Sequence, residues 1–163
     1  MEKEGIKVGM ADLNIVSPPK TIRTSGLGSC VGVVLYDEWT GVAGMAHIML
    51  PSSSLCREKT PNVAKYADTA IPYLLDEMVK KGAKMHSIKA KIAGGAEMFN
   101  FSTESNVMRI GPRNVEAVKK KLQELNIPIV AEDVGGKSGR TIEFDPKTKK
   151  LHIRTVNQGM KYI

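Results

Sequence analysis

Residues 30–50 read CVGVVLYDEWTGVAGMAHIML, and this stretch decides the fold of the chain. Two apolar runs, residues 30–36 and residues 42–50, stand on either side of the more polar residues 37–41. The first run is rich in valine, which favours strands, and the residues between the runs are those that favour turns. The stretch therefore predicts a β-hairpin.

This hairpin brings a cysteine and a histidine together. If residues 39 and 40 form its tip, Cys30 lies opposite residue 49, and His47 becomes its diagonal neighbour on the same sheet face. Diagonal residues of an antiparallel pair lie about 7 Å apart at the backbone, a distance that an imidazole spans. A register shifted by one residue would put the two side chains on opposite faces, so their proximity depends on the turn.

A thiol beside an imidazole suggests a nucleophilic site. His47 can take the proton of Cys30, and the resulting thiolate is the nucleophile. A third group should orient the imidazole, and the hydroxyl of Thr24 is suited to this role. However, a lone cysteine at the start of a strand is more often a small buried residue, and a lone histidine in an apolar run is more often part of the core. The spacing alone therefore suggests a Cys–His enzyme without establishing one.

Small residues precede the cysteine. Gly26, Gly28 and Ser29 form a loop that lets a substrate approach the backbone closely. Such a loop can also direct backbone N–H groups at a developing oxyanion. The N–H of Cys30 is the first candidate donor, and the loop is predicted to contact the substrate.

The rest of the chain predicts mostly strands, with two helices between them. One helix is predicted over residues 61–81, with Thr60 as its N-cap, Pro61 at its first position, an apolar stripe from Val63 to Val79 along one face and Gly82 as its C-terminal cap. The other is predicted over residues 114–125, with Asn114 as its cap and with Val118 and Leu122 among its inward residues. Further strands are predicted over residues 5–16, 21–24, 87–93, 127–132, 140–144 and 151–156. This order favours the α/β class, with a layered mixed β-sheet, two main helices and substantial antiparallel pairing.

Length and composition fit one ordinary globular domain, residues 1–163. The N-terminus has acidic residues and no apolar signal segment, and the longest apolar runs are shorter than the ~20 residues of a membrane helix. We therefore expect a cytoplasmic protein that is not embedded in a membrane. Cys30 and Cys56 are expected to be thiols in a reducing compartment. No metal-ligand spacing is present, so we expect neither a metal nor a cofactor.

The net charge of +7 favours an acidic partner, whether nucleic acid, an anionic membrane or an acidic protein, and because the charge is spread along the chain it equally fits lysine-rich helix faces that are simply solvated. The tightest basic cluster is formed by residues 119–121, and no RNA-binding aromatic motif accompanies it. Nucleic-acid binding through a basic surface is therefore the weakest hypothesis, and we expect no nucleic-acid partner.

Short motifs follow one another along residues 5–156. They are GLGSC (26–30), GMAHIMLP (44–51), KYAD (65–68), KIAGGA (91–96), MF (98–99), IG (110–111), RN (113–114), Asp133 and GG (135–136). Together and in this order they resemble the CheD family, the chemoreceptor glutamine deamidases of bacterial chemotaxis. The resemblance implies a layered α/β fold similar to the catalytic domain of the bacterial toxins that deamidate Rho GTPases.

The resemblance also implies the chemistry. Cys30 would be the nucleophile, His47 the base and Thr24 the third member of the site. The implied activity is that of a protein-glutamine glutaminase, which converts chemoreceptor glutamines to glutamate with release of ammonia through a thioester. The implied partners are the cytoplasmic region of a chemoreceptor (methyl-accepting chemotaxis protein) and the CheC phosphatase.

Two alternatives stay open. A cysteine protease or a transglutaminase would use the same dyad with another leaving group or acceptor. A non-catalytic regulator would act through binding of the CheC phosphatase, and its dyad would be vestigial. The intact Cys30, His47 and Thr24 argue against the second alternative.

Overall fold

The computed structural model describes residues 5–97 and 109–163. Within these residues the chain forms ten β-strands and two α-helices. In chain order they are β1 (Gly5–Lys7), β2 (Leu13–Val16), β3 (Thr21–Leu27), β4 (Val31–Asp37), β5 (Ala43–Ile48), α1 (Ala67–Lys80), β6 (Ile88–Gly94), α2 (Ile110–Glu124), β7 (Ile129–Val134), β8 (Arg140–Asp145), β9 (Lys150–Thr155) and β10 (Gly159–Tyr162). Within the same residues, neither helix is long and apolar enough to cross a membrane.

The strands form two five-stranded sheets. The first has the order β1-β3-β8-β9-β10, and the second has the order β2-β5-β4-β6-β7. Among the described strands, β1 pairs in parallel with β3 and β6 pairs in parallel with β7, whereas the other pairs are antiparallel. The predicted α/β class with substantial antiparallel pairing is confirmed, with the strands divided between two sheets.

Two apolar layers hold the sheets and helices together. One lies between the second sheet and the helices, and the other lies between the two sheets. Strand β4 contributes to both layers, because Val31 and Val33 face the helices whereas Val34 and Tyr36 face the first sheet. All seven residues of β4 are buried, which explains its uninterrupted apolar run. Each buried valine contributes about 1.5–3 kcal/mol relative to an exposed one.

The predicted hairpin is confirmed, and so is its register. Val31 pairs with Ile48 and Gly32 with His47. The turn is fixed by Asp37, whose carboxylate accepts hydrogen bonds from Trp39 and Thr40 within the turn and from Lys84 and Ser87 in the segment before β6. Burial by itself would raise the pKa of this carboxyl group, but these hydrogen bonds lower it to about 2.

The predicted strand over residues 5–16 was wrong. This segment forms two strands, β1 and β2, which belong to different sheets. Ala11 lies between them with a φ of 53°, a left-handed conformation that interrupts a strand. In one continuous strand Met10 would share a face with Ile6 and Val8, but it is 60% exposed.

The first helix begins at Ala67, not at Pro61 as predicted. The carbonyl of Lys65 accepts hydrogen bonds from the N–H groups of Met49 and Leu50, so the backbone before the helix extends the end of β5. The predicted apolar stripe is buried from Ala67 to Met78, whereas Val63 and Val79 at its two ends are exposed. Gly82 follows the helix with a φ of 105°, as predicted for a cap glycine.

The second helix begins at Ile110, so the prediction of Asn114 as its cap was wrong. Asn114 lies inside the helix and is completely buried. On the same side, Val118 and Leu122 are buried as predicted.

Candidate active site

Thr24 and His47 join the two sheets. Thr24 lies on β3 of the first sheet, His47 lies on β5 of the second, and both side chains are buried. The Oγ1 atom of Thr24 lies 2.7 Å from Nδ1 of His47. The same hydroxyl donates a hydrogen bond of 2.7 Å to the carbonyl of Val8.

These two contacts define the tautomer of the imidazole. A threonine hydroxyl has one hydrogen, and that of Thr24 goes to the Val8 carbonyl. Towards His47 the hydroxyl must therefore accept, so Nδ1 carries the hydrogen and Nε2 carries the lone pair. Nε2 is buried and has no hydrogen-bond partner among the described residues. His47 is thus held in the form that can accept a proton through Nε2.

Cys30 lies near this base in the register of the hairpin. It directly precedes β4, is 7% exposed, and belongs to the apolar layer between the sheets. Because Gly32 is directly opposite His47, Cys30 is the diagonal neighbour of His47 on the same face. Gly32 leaves room for the two sheets to approach, since a Cβ there would lie 2.6 Å from Cδ1 of Ile142.

Burial determines the resting charge of the pair. It raises the pKa of the Cys30 thiol and lowers the pKa of the His47 imidazole. At neutral pH both groups are therefore uncharged. A thiolate at Cys30 would therefore have to form by transfer of the thiol proton to a base, and Nε2 of His47 is suited to accept it.

The carbonyls beside the cysteine are held by a glycine strap, residues 94–96. The N–H of Ala96 donates to the carbonyl of Gly28, and the N–H of Gly95 donates to the carbonyl of Cys30, each at 2.8 Å. Gly94 has a φ of 108°, and a Cβ there would collide with the Cys30 carbonyl. The strap therefore needs glycine at Gly94 to pack against the cysteine.

Two N–H groups of the loop remain available for a ligand. Those of Ser29 and Cys30 make no hydrogen bond to any described residue. The N–H of Gly28 donates instead to the carbonyl of Gly26 at 3.1 Å. Of the loop residues predicted to bind substrate, Ser29 and Cys30 thus present free donors, and Gly26 has the left-handed φ of 73° that shapes the loop.

The glycine strap and Asn114 also contact the loop, although neither was predicted as part of the site. Asn114 Nδ2 donates to the carbonyls of Ser29 and Met49, at 3.0 and 2.9 Å. The sequence did contain a signal, because Asn114 interrupts the apolar stripe that Val118 and Leu122 continue. A polar residue at such a position needs a buried partner.

The remaining candidate residues are easily placed. Cys56 is partly exposed and lies in the segment after β5. His86 is exposed, and His152 stacks on Tyr162. The motif at residues 98–99 lies outside the described residues.

A buried thiol, an imidazole in its proton-accepting form and two free backbone N–H groups, held at the junction of two sheets, define a candidate cysteine-hydrolase site. Comparison with known proteins adds a family. Residues 49–155, more than half of the chain, match the model of the family described as CheD chemotactic sensory transduction.

Full-length relatives agree with this match. The chain is 67% identical over 158 residues to the chemoreceptor glutamine deamidase CheD of Halalkalibacterium halodurans, covering 97% of this chain and 98% of the relative. It is 56% identical over 158 residues to the protein of the same name in Bacillus subtilis, covering 97% and 95%. Another relative of that name, from Bacillus licheniformis, is 56% identical over 165 residues, and the match covers 100% of this chain and 98% of the relative. The chain belongs to the CheD family.

Proposed function

We propose that this protein deamidates specific glutamine side chains of bacterial chemoreceptors to glutamate, releasing ammonia, in chemotaxis adaptation. The names of its relatives, chemoreceptor glutamine deamidase, supply the substrate class. In this proposal residues 1–163 form one deamidase domain, similar in fold to the Rho-deamidating toxin domain, and the protein acts in the cytoplasm without a cofactor.

One observation carries the proposed mechanism. The hydrogen-bond chain from the Val8 carbonyl through Thr24 to His47 leaves the lone pair of Nε2 free. Cys30 is the nucleophile, His47 is the general base, and Thr24 holds the imidazole in the required tautomer. This arrangement fulfils the three roles of a nucleophile, a base and an orienting group.

The reaction proceeds in two halves. The Cys30 sulfur attacks the carboxamide carbon of the glutamine while its proton passes to His47 Nε2. The C–N bond then breaks, and His47 returns the proton to the leaving nitrogen, which departs as ammonia. Water then attacks the glutamyl thioester, gives a proton to His47 and displaces the sulfur. Cys30 regains that proton, and glutamate remains.

The free N–H groups of Ser29 and Cys30 stabilise the oxyanion of each tetrahedral intermediate. One donor of this kind is typically worth about 10²- to 10³-fold in turnover. A glutamyl methyl ester would pass through the same intermediate, so a methylesterase side activity belongs to the same proposal.

A basic groove supports an acidic protein partner. A cavity of about 510 Å³ borders the first sheet, and its wall includes three basic side chains, Lys7, Arg23 and Arg154, and one acidic side chain, Glu143. Lys7 and Arg23 form no ion pair with any described residue. Basic surfaces of this kind favour association with acidic proteins. The proposed partners are the cytoplasmic region of a chemoreceptor and the CheC phosphatase.

The test is mass spectrometry of a chemoreceptor cytoplasmic fragment after incubation with the protein or with its Cys30→Ala variant. We expect a gain of about one mass unit at defined glutamines with the wild type alone, and equal amounts of released ammonia. Chain cleavage or cross-linking without ammonia release would favour a protease or a transglutaminase. A wild type that leaves receptors from the same organism unmodified would favour the non-catalytic regulator of CheC.

A further inference from the structure

Asn114 is a polar side chain at a position where its helix faces the core. It is completely buried, and the residues one and two turns later on the same side, Val118 and Leu122, are also completely buried. Asparagine is a poor helix former, and burying an amide away from water costs free energy. Leucine has almost the same shape and would avoid both costs. The amide group must therefore supply something that an apolar residue does not.

That contribution is a pair of hydrogen bonds. Nδ2 donates to the carbonyls of Ser29 and Met49, and because both partners are acceptors, the orientation of the amide is unambiguous. Its Oδ1 is buried and has no hydrogen-bond partner among the described residues. The residue thus leaves one acceptor unsatisfied while it satisfies two main-chain carbonyls.

The two carbonyls belong to the segments that carry the candidate nucleophile and base. Ser29 directly precedes Cys30, and Met49 follows His47 by two residues. The β4–β5 ladder ends one step earlier, at the pair of Val31 and Ile48. Asn114 therefore joins the two segments where the sheet no longer does.

The helix is itself fixed against the same loop. A Cβ on Gly111 would collide with the carbonyl of Ala96, so the first turn of α2 packs directly on the glycine strap. The strap in turn holds the carbonyls of Gly28 and Cys30. The carbonyls of Gly28, Ser29 and Cys30 are thus all held by α2 or by the strap beneath it.

We propose that Asn114 is a positioning residue for the reaction. It holds Cys30 within reach of Nε2 of His47 and keeps the N–H groups of Ser29 and Cys30 turned towards the substrate. It touches neither the thiol nor the imidazole and acts through the backbone. This inference rests on the proposed function for its kinetic consequence, but the geometry of the thiol is measured without a substrate.

The test compares Asn114→Leu with Val118→Ala, a control on the same buried face of α2, both in a Cys56→Ser background. Two assays are used. One gives kcat and KM on a receptor fragment, and the other gives the rate of Cys30 alkylation by iodoacetamide as a function of pH. For Asn114→Leu we expect a kcat about 10- to 100-fold lower with KM within threefold, because displacing a nucleophile by about 1 Å has effects of this size. The alkylation profile should move to lower pH, because a released loop hydrates the thiol. Val118→Ala should leave the kinetic constants and the alkylation profile close to those of the wild type, even if its melting temperature is lower.

Asn114→Asp provides a second variant if Asn114→Leu does not fold. A protonated carboxyl has one hydrogen and can keep one of the two bonds, so its kcat should lie between those of the wild type and Asn114→Leu. The proposal is overturned if the folded Asn114 variants match Val118→Ala in kcat and in alkylation profile. If the wild type itself modifies no receptor, the proposed function fails, and the alkylation profile alone decides the role of Asn114.

Discussion

Replacing Thr24 by valine tests the hydrogen-bond chain on which the mechanism depends. Valine keeps the branched shape of threonine and removes only the hydroxyl. His47 Nδ1 then loses its acceptor at 2.7 Å, and the Val8 carbonyl loses its donor. Since the side chain of His47 is completely buried, water does not replace the lost acceptor.

The size of the effect follows from the two tautomers of the imidazole. In the variant neither ring nitrogen has a partner among the described residues, so the preference for the hydrogen on Nδ1 is lost. That preference is the worth of one satisfied buried donor, about 1–3 kcal/mol, and at about 1.4 kcal/mol for each factor of ten its loss shifts the ratio of the two tautomers about 5- to 150-fold towards hydrogen on Nε2. In that form His47 cannot accept the proton of Cys30. Because the imidazole is then divided between the two forms, we expect kcat to fall several-fold, with little change in KM.

The assay combines ammonia release from a receptor fragment with ¹⁵N NMR of the His47 ring, which reports the tautomer directly. Thr21→Val is the matched control. Thr21 is also buried on β3, but its hydroxyl donates a 2.6 Å hydrogen bond to Glu143 Oε2 and has no part in the chain that leads to His47. Thr24→Ser keeps the hydroxyl and should retain turnover within a few-fold of the wild type.

Two results would refute the reasoning. One is a Thr24→Val enzyme whose kcat stays within twofold of that of Thr21→Val. The other is a low kcat with the hydrogen still on Nδ1 in the NMR spectrum, because the loss would then come from something other than the tautomer. A loss of folding in Thr24→Val but not in Thr21→Val would instead make Thr24 a structural residue.

Three further predictions concern the core, the turn and the thiol. Gly32→Ala places a Cβ 2.6 Å from Ile142 and should lower the free energy of unfolding by about 1–3 kcal/mol in urea denaturation; an unchanged midpoint would contradict the close packing. The pKa of Asp37 is about 2 in the fold against 3.8 ordinarily, so the unfolded chain binds the proton first, and stability should fall as the pH drops from about 4 towards 2. Asp37→Asn should show a shallower fall over this range, and equal slopes would exclude the carboxylate as the cause. Burial raises the pKa of Cys30 above its ordinary value of 9.0, so its alkylation in a Cys56→Ser protein should still be accelerating above pH 9; a plateau below that pH would show a preformed thiolate.

The hairpin could be predicted from the sequence because local rules determine it. A turn of recognisable residues between two apolar runs sets the register, and the observed pairing of Gly32 with His47 is the predicted one. The errors occurred where distant segments decide the structure. The helix starts at Ala67 because the backbone of Lys65 pairs with the end of β5. Periodicity along the chain contains no information about that pairing.

The residues of the candidate site likewise fall into those that local sequence predicts and those that only distant contacts bring together. Cys30 and His47 are linked by a hairpin register that the sequence predicted. Thr24 lies on the other sheet, so its position beside His47 depends on how the two sheets pack. The sequence suggested Thr24 through the chemistry of its hydroxyl and through the family resemblance, whereas the hairpin register contains no information about it. Asn114 reaches the loop from a helix that is 85 positions away from Ser29 in the chain. Only the assembled layers bring these groups together.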